Sequence, residues 1–273
     1  MAACGGDGGV FDGSTVASSV TSAVTTTAAT TTTQATTTTT SATTTTTQAT
    51  STSATSVAEV SAVPSETTLD TPPIRVTTSM PILSGLADGT IQGRINGAIA
   101  DELEARQTRF VVDATGAYDP ANPGPGPFTL EIGSEMTALT DKLLSLRFTG
   151  SEYYQGVHDL AIVYTMNFDL RTGFLLDLAD VLLPGGPAAL AALAEQHLID
   201  DLYGGDATAL HCWIPGIAPD LLKHWVVSGP GFEISFGQYD VGPGAMGAPT
   251  VVIPYSELGG IVDPAGPAGP PGP

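Results

Sequence analysis

The stretch from Ser14 to Ser56 restricts the fold most, because 22 of its 43 residues are threonine and nearly all the rest are Ala, Ser, Val or Gln. It carries a loose seven-residue repeat, but a coiled coil needs larger apolar residues than alanine at its buried positions. The branched Cβ of threonine also disfavours a helix. We therefore predict a disordered, extended stalk over residues 14–75, of a kind that is often O-glycosylated. The alternative is low-complexity sequence without a function.

The N-terminus, residues 1–13, begins Met1-Ala2-Ala3-Cys4-Gly5-Gly6, which resembles the lipobox of bacterial lipoproteins. We expect lipid on Cys4 and a location on the extracellular face of the cell membrane, in the cell envelope. The basic and apolar parts of a signal peptide are absent, so the prediction assumes a start codon further upstream or a segment already removed. The alternative is a cytosolic protein. With Cys4 lipidated, Cys212 would be unpaired and is predicted to be a small buried hydrophobe rather than a reactive thiol.

The charge balance excludes some partners and favours others. The chain has 28 acidic and 8 basic residues, a formal net charge of −20. Nucleic acids and anionic membrane surfaces bind clustered Lys and Arg, so neither is an expected partner and only a lipid anchor would join the protein to a membrane. From residue 60 onward there are 25 acids and 8 bases, a net charge of −17 that favours a cationic partner. Alternatively, this charge only keeps an exported protein soluble.

The hydrophobic pattern predicts an α+β domain over residues 76–262, with a mainly antiparallel sheet and two principal helices. An apolar residue every fourth position predicts a helix over Thr90–Gln107, and a second amphipathic pattern predicts another over Pro187–Tyr203. The predicted strands are Arg109–Ala114, Phe128–Leu139, Lys142–Thr149, Leu160–Leu170, Phe174–Leu178, Trp225–Ser228, Phe232–Phe236 and Thr250–Tyr255. Residues 263–273, rich in Pro and Gly, are expected to be a disordered tail.

Known catalytic motifs are missing from the sequence. It has no phosphate-binding glycine loop, nucleophile elbow or paired zinc-ligand motif, so no catalytic residue, metal or cofactor is predicted. His158-Asp159 is the most informative pair, because it follows Tyr153-Tyr154 and would present two phenols and an imidazole on one exposed turn. We favour a binding or structural role for this turn, since a catalytic histidine needs a nucleophile or acid partner and none is adjacent in sequence.

The stretch YYQGVHDLAIVYTMNFDLRTGFLLDL, from Tyr153 to Leu178, carries a family resemblance, and so do QYDVGP from Gln238 and VVIPYSEL from Val251. Together they resemble the RsiV-type extracellular domain, which is similar to a mycobacterial secreted immunogenic antigen and to accessory domains of peptidoglycan deacetylases. The resemblance implies an extracellular binding domain, with lysozyme as a possible partner. It places the expected binding residues at Tyr153, Tyr154, His158, Asp159 and Tyr239.

Three functions follow from these patterns. The first is a lipid-anchored, non-enzymatic binding or sensing domain for lysozyme or another cationic envelope partner. The second is a hydrolase of the cell envelope that uses His158 with Asp159 or Glu152. The third is a surface antigen without a specific ligand.

Overall fold

The computed structural model describes residues 58–270, which form two β-sheets and three α-helices. The larger sheet has the strand order β1-β2-β3-β4-β5 and the smaller one β6-β7-β8. All neighbouring strands are antiparallel except β2 and β3, so the predicted α+β class with a mainly antiparallel sheet is confirmed. The strands are β1 Glu59–Asp70, β2 Pro73–Ser84, β3 Phe128–Leu139, β4 Leu143–Tyr153, β5 Leu160–Asp169, β6 His224–Val227, β7 Gly231–Ser235 and β8 Thr250–Pro254. The helices are α1 Gly89–Ala117, α2 Gly186–Leu202 and α3 Ala207–His211.

Helix α1 covers the larger sheet and is longer than the sequence predicts. The Asp88 side chain caps its N-terminus by accepting hydrogen bonds from the amides of Thr90 and Ile91, at 2.8 and 3.2 Å. Its buried face continues past the predicted end with Phe110 and Ala114. The prediction of a strand over Arg109–Ala114 is therefore wrong, because these two residues extend the apolar stripe of the helix.

The folded region also begins earlier than predicted. Strand β1 starts at Glu59 and pairs along its whole length with β2, so the stalk predicted over 14–75 is wrong for its last part. Nearly every side chain of β1 is exposed, and the strand therefore lacks the alternation of buried and exposed residues that marks a sheet in sequence. The rest of the predicted stalk lies outside the described residues, as does the lipobox.

Helix α2 packs on the smaller sheet and builds a second core. Leu190, Ala194 and Leu198 are buried there against Phe232 and Ile253 of the sheet. The final described residues join the same core, since Ala268 is fully buried and its carbonyl accepts a hydrogen bond from the Tyr255 hydroxyl. The predicted disordered tail is therefore wrong over residues 263–270.

Polar side chains of the larger sheet join it to the smaller one, and one of them is Ser145 of β4, whose hydroxyl accepts a hydrogen bond from the Val227 amide of β6 at 3.2 Å. Asn167 of β5 is buried, accepts a hydrogen bond from the Ser145 hydroxyl at 2.6 Å and donates one to the Trp225 carbonyl of β6 at 2.8 Å. Arg147 of β4 forms ion pairs with Glu135 of β3 and with Glu233 of β7. Within residues 58–270, no helix has the length and apolar character needed to span a membrane.

Candidate functional site

The connection between β4 and β5 lies beside the loop that follows β7, and both hold an unusual backbone conformation. Gln155 has φ 59° and Tyr239 has φ 73°. They are the two residues other than glycine with positive φ in the described part of the chain, and side chains disfavour this left-handed region. Strained residues concentrate at functional sites, so the pair directs attention to this surface.

Both ring nitrogens of His158 have hydrogen-bond partners, and Nε2 links the two loops. Its Nδ1 lies 2.8 Å from the Asp159 carbonyl oxygen, and its Nε2 lies 3.2 Å from the Tyr239 hydroxyl. A carbonyl can only accept a hydrogen bond, so Nδ1 carries the proton in the neutral ring. Nε2 then accepts a hydrogen bond from the Tyr239 hydroxyl.

Two neighbouring residues hold Tyr239 in place. The Gln238 side chain accepts a hydrogen bond from the Ala161 amide at 2.7 Å and donates one to the Gly244 carbonyl at 2.8 Å. A Cβ atom at Gly244 would lie 2.3 Å from the Tyr239 hydroxyl oxygen, so only glycine lets the ring lie there. Gln238 thus ties the loop to β5 while Gly244 makes room for the phenol.

The result is an exposed surface of apolar and aromatic side chains, which we call the Tyr239 patch: Val157, His158, Leu160 and Tyr239. Val157 is 100% exposed, Tyr239 53% and Leu160 41%. The carboxylate of Asp159 is exposed beside them. An exposed apolar cluster with a rigid phenol is typical of protein-binding surfaces.

The predicted binding residues divide between this patch and the core. His158, Asp159 and Tyr239 come together, although 81 positions separate the first from the last. Tyr154 does not join them, because its ring packs 5.1 Å from Phe110, between centroids, and burial raises the pKa of its phenol. Tyr153 ends β4 opposite Thr129 and is half-buried. The phenol beside the imidazole is therefore that of Tyr239, not Tyr154 as the sequence suggested.

Sequence reasoning missed Gln238, Gly244, Val157 and Leu160 as members or supports of the site. The glycines and the proline of Gly242-Pro243-Gly244 mark an unusual loop and were the available signal. Nothing local in the sequence shows that this loop meets the turn before β5.

Several residues of the quoted family signature have structural roles. Asn167 joins the two sheets, as described above. Asp169 accepts hydrogen bonds from the Arg171 guanidinium at 2.9 and 2.7 Å, and these bonds hold the pKa of its carboxyl below its usual value. Gly173, with φ 74°, closes the turn after β5. Asn167, Asp169 and Gly173 therefore determine how β5 is attached to its surroundings. The strand predicted over Phe174–Leu178 is wrong, because this segment forms one isolated bridge, between Leu175 and Phe168, and then enters a short 3-10 turn at Leu178–Asp180.

Carboxylates pair with other histidines, but none of these pairs lies at the patch. His211 Nε2 is 2.9 Å from a Glu195 carboxylate oxygen, and the other oxygen accepts the Ile217 amide at 2.9 Å. These bonds lower the pKa of Glu195 and fasten a loop to α2. The imidazole of His158 contacts the main chain of Asp159 instead of a carboxylate. Residues 58–270 contain no group of three or more His, Cys, Asp or Glu that could hold a metal ion.

Cys212 also differs from its prediction. It is exposed at the C-terminal end of α3 and is not a free thiol, so its assignment as an unpaired buried hydrophobe is wrong.

The fold and the site define an α+β domain of two sheets that displays a rigid aromatic patch. Residues 184–256, from the region of α2 to β8, match a family described as "Protein of unknown function (DUF3298)". The fold is similar to that of a DUF3298 family member from Bacteroides fragilis, with a TM-score of 0.60 and 17% identity over 77% of this chain and 95% of that one. A DUF3298 family protein from Pseudomonas aeruginosa gives a TM-score of 0.57 and 17% identity over 80% of this chain and 99% of that one. No curated protein matches the chain.

Proposed function

We propose that this protein is a lipid-anchored, RsiV-like component of the bacterial cell envelope whose folded domain binds a cationic protein without enzymatic activity, with lysozyme as the candidate partner. The observation that carries the proposal is the Tyr239 patch, in which a phenol is held exposed by a histidine, a glutamine and a positive φ. An aromatic ring that is already fixed loses little conformational entropy on binding, so it suits an interface anchor.

The electrostatics of the described residues support a cationic partner. Residues 58–270 contain 26 acidic and 8 basic side chains. Four of the basic ones, Arg75, Arg106, Arg147 and Arg171, already form ion pairs with carboxylates of the same domain. The remaining negative charge would speed the approach of a cationic protein and disfavour an anionic one.

The proposed anchor rests on the sequence alone, since Cys4 and the threonine-rich segment lie outside the described residues. A lipid on Cys4 would hold the domain at the membrane, and residues 14–57 would give it reach. This anchor conflicts with the bonded state of Cys212, because Cys4 is the other cysteine of the sequence and its sulfur cannot carry both a lipid and a disulfide. Mass spectrometry of the native protein should find diacylglycerol on Cys4. An unlipidated Cys4, whether with an intact Met1 or in a disulfide with Cys212, would contradict the anchor.

Partner binding is tested with the full chain on a surface and lysozyme in solution. Tyr239→Ala should weaken binding by about tenfold or more, as expected of a central aromatic anchor. Trp213→Ala is the matched control, because Trp213 is 51% exposed but lies outside the patch, and it should leave binding unchanged. Affinity should also fall as salt is raised.

Equal effects of Tyr239→Ala and Trp213→Ala on lysozyme binding would contradict the proposal that the Tyr239 patch is the binding surface. Absence of saturable binding at low salt would contradict lysozyme as the partner. Hydrolysis of peptidoglycan by the wild type that His158→Ala abolishes would contradict a non-enzymatic role and favour the hydrolase alternative.

A further inference from the structure

A small cleft lies along the outer edge of β5, between residues 175–178 and the start of β6. Its volume is about 190 Å³. Leu175, Leu178 and Trp225 supply apolar walls, and Thr165 lines the edge of the strand. Cavities for drug-sized ligands start at roughly 300 Å³, so this one suits a group the size of a single amino-acid residue.

The strand edge in the cleft offers main-chain hydrogen bonds. Three residues of β5 show which positions point outward from the sheet. The Ala161 amide donates a hydrogen bond to the Gln238 side chain. The Asn167 carbonyl accepts one from the Leu176 amide at 2.7 Å, and the Asp169 amide donates one to the Phe174 carbonyl at 3.0 Å. Hydrogen-bonding groups of a strand alternate in direction with a period of two. Thr165 lies an even number of residues from Ala161, Asn167 and Asp169, so its amide and carbonyl also point outward from the sheet, into the cleft.

Two opposite charges also line the cleft. Lys223 stands just before β6 and Asp177 lies in the segment across from it, and both side chains are exposed. Within the described part of the chain, no salt bridge joins them to each other or to another residue. A cation and an anion that face one cavity without forming an ion pair are suited to the charged ends of a ligand.

We infer that this cleft binds an amino-acid residue with an apolar side chain and a free α-carboxylate. The carboxylate lies against the Lys223 ammonium, the side chain against Leu175 and Trp225, and the ligand's main chain pairs with the edge at Thr165. Such a group can come from a free amino acid or from the C-terminus of a peptide. Asp177 distinguishes the sources, because only the free amino acid brings an α-ammonium to it.

The buried indole of Trp225 allows a direct measurement. In the full chain carrying Trp213→Phe, the remaining tryptophan is Trp225, and its fluorescence reports on the cleft. N-acetyl-leucine and leucine are titrated as the two sources, and leucinamide, which lacks the carboxylate, as the negative control. We expect a saturable change with at least one of the carboxylates and a response at least tenfold weaker with leucinamide.

The two lysines of the chain give a matched pair of variants. Lys223→Met should weaken carboxylate binding by about tenfold or more, whereas Lys142→Met, on the turn before β4, should have no effect. If the natural ligand is a free amino acid, Asp177→Asn should weaken the binding of leucine but not that of N-acetyl-leucine. If the natural ligand is a peptide C-terminus, this variant should leave the binding of both unchanged. Both patterns support the site.

Leucinamide binding as tightly as N-acetyl-leucine, no saturation with either carboxylate, or equal effects of the two lysine variants would overturn the assignment. Tyr239→Ala should not alter these titrations. A failure here is therefore distinct from a failure of the proposed partner binding.

Discussion

At the scale of single residues, His224 determines how the fold responds to acid. The residue begins β6, and burial is the main reason why its pKa is lowered to about 4. The positive charges of Lys223 and Arg106 also lower this pKa, whereas Asp240 raises it. An unfolded chain binds a proton at this position near pH 6.5. Between pH 6.5 and 4 the unfolded state thus holds a proton that the folded state rejects, and stability falls as the pH is lowered through this window.

His224→Gln should remove that loss. We expect the free energy of unfolding of the wild type to fall by up to about 2 kcal/mol between pH 6.5 and 4, a value that allows for the partial exposure of His224. The free energy of unfolding of the variant should stay nearly constant over the same range. Urea unfolding at a series of pH values measures both, with His158→Gln as a control on the exposed turn. Asp169 and Glu195 have lowered pKa values, so their contributions begin to fall only at the acid end of this window and are lost below it. Parallel pH profiles for the wild type and His224→Gln would contradict the role of His224.

At the scale of secondary-structure elements, the close approach of β3 and β4 depends on one glycine. A Cβ atom at Gly150 would lie 1.7 Å from the Glu131 carbonyl oxygen, which is main chain and cannot turn aside. On the facing strand, a Cβ at Gly133 would meet its nearest atom, the Thr149 carbonyl oxygen, at 3.6 Å, an ordinary contact. Two glycines of one strand pair are therefore under different constraints.

Gly150→Ala should force the two strands apart and lower the free energy of unfolding by about 3 kcal/mol. Gly133→Ala should be neutral or slightly stabilising, since glycine is otherwise unfavourable inside a strand. Urea denaturation of the two variants beside the wild type tests the difference. Similar midpoints for both variants would show that the strands accommodate the added methyl group.

The secondary-structure elements differ in how well the sequence alone predicts them. Both long helices and strand β3 were predictable because each buries one face and has a periodic apolar pattern, and β4 to β8 because each contains a short run or alternation of apolar residues. Strand β1 was not, since its serines and threonines continue the composition of the preceding segment and its order comes from pairing with β2. In the site, the turn at His158 was recognisable, but its contact with Tyr239 depends on how two distant loops meet. Composition and local spacing carry no information on that contact.

At the scale of the whole molecule, the two cores are joined by few polar contacts, of which Arg147 is the main ionic one. Its side chain is 18% exposed, and that of Glu233, its partner on the other sheet, is 15% exposed. Both charges have lost most of their water, so each depends on the other for compensation. By contrast, Arg75 and Glu66 are 3.7 Å apart and more than half exposed, and water screens their attraction.

Arg147→Met should consequently destabilise the protein by about 2 kcal/mol, because it leaves the Glu233 carboxylate in the contact between sheets without a counter-charge. Arg75→Met should cost less than about 0.5 kcal/mol. Adding Glu233→Gln to Arg147→Met should recover part of the loss, since the uncompensated charge is then gone, and urea unfolding followed by tryptophan fluorescence measures all three variants. If Arg147→Met were as mild as Arg75→Met, the association of the sheets would rest on apolar packing and on Asn167 rather than on this ion pair.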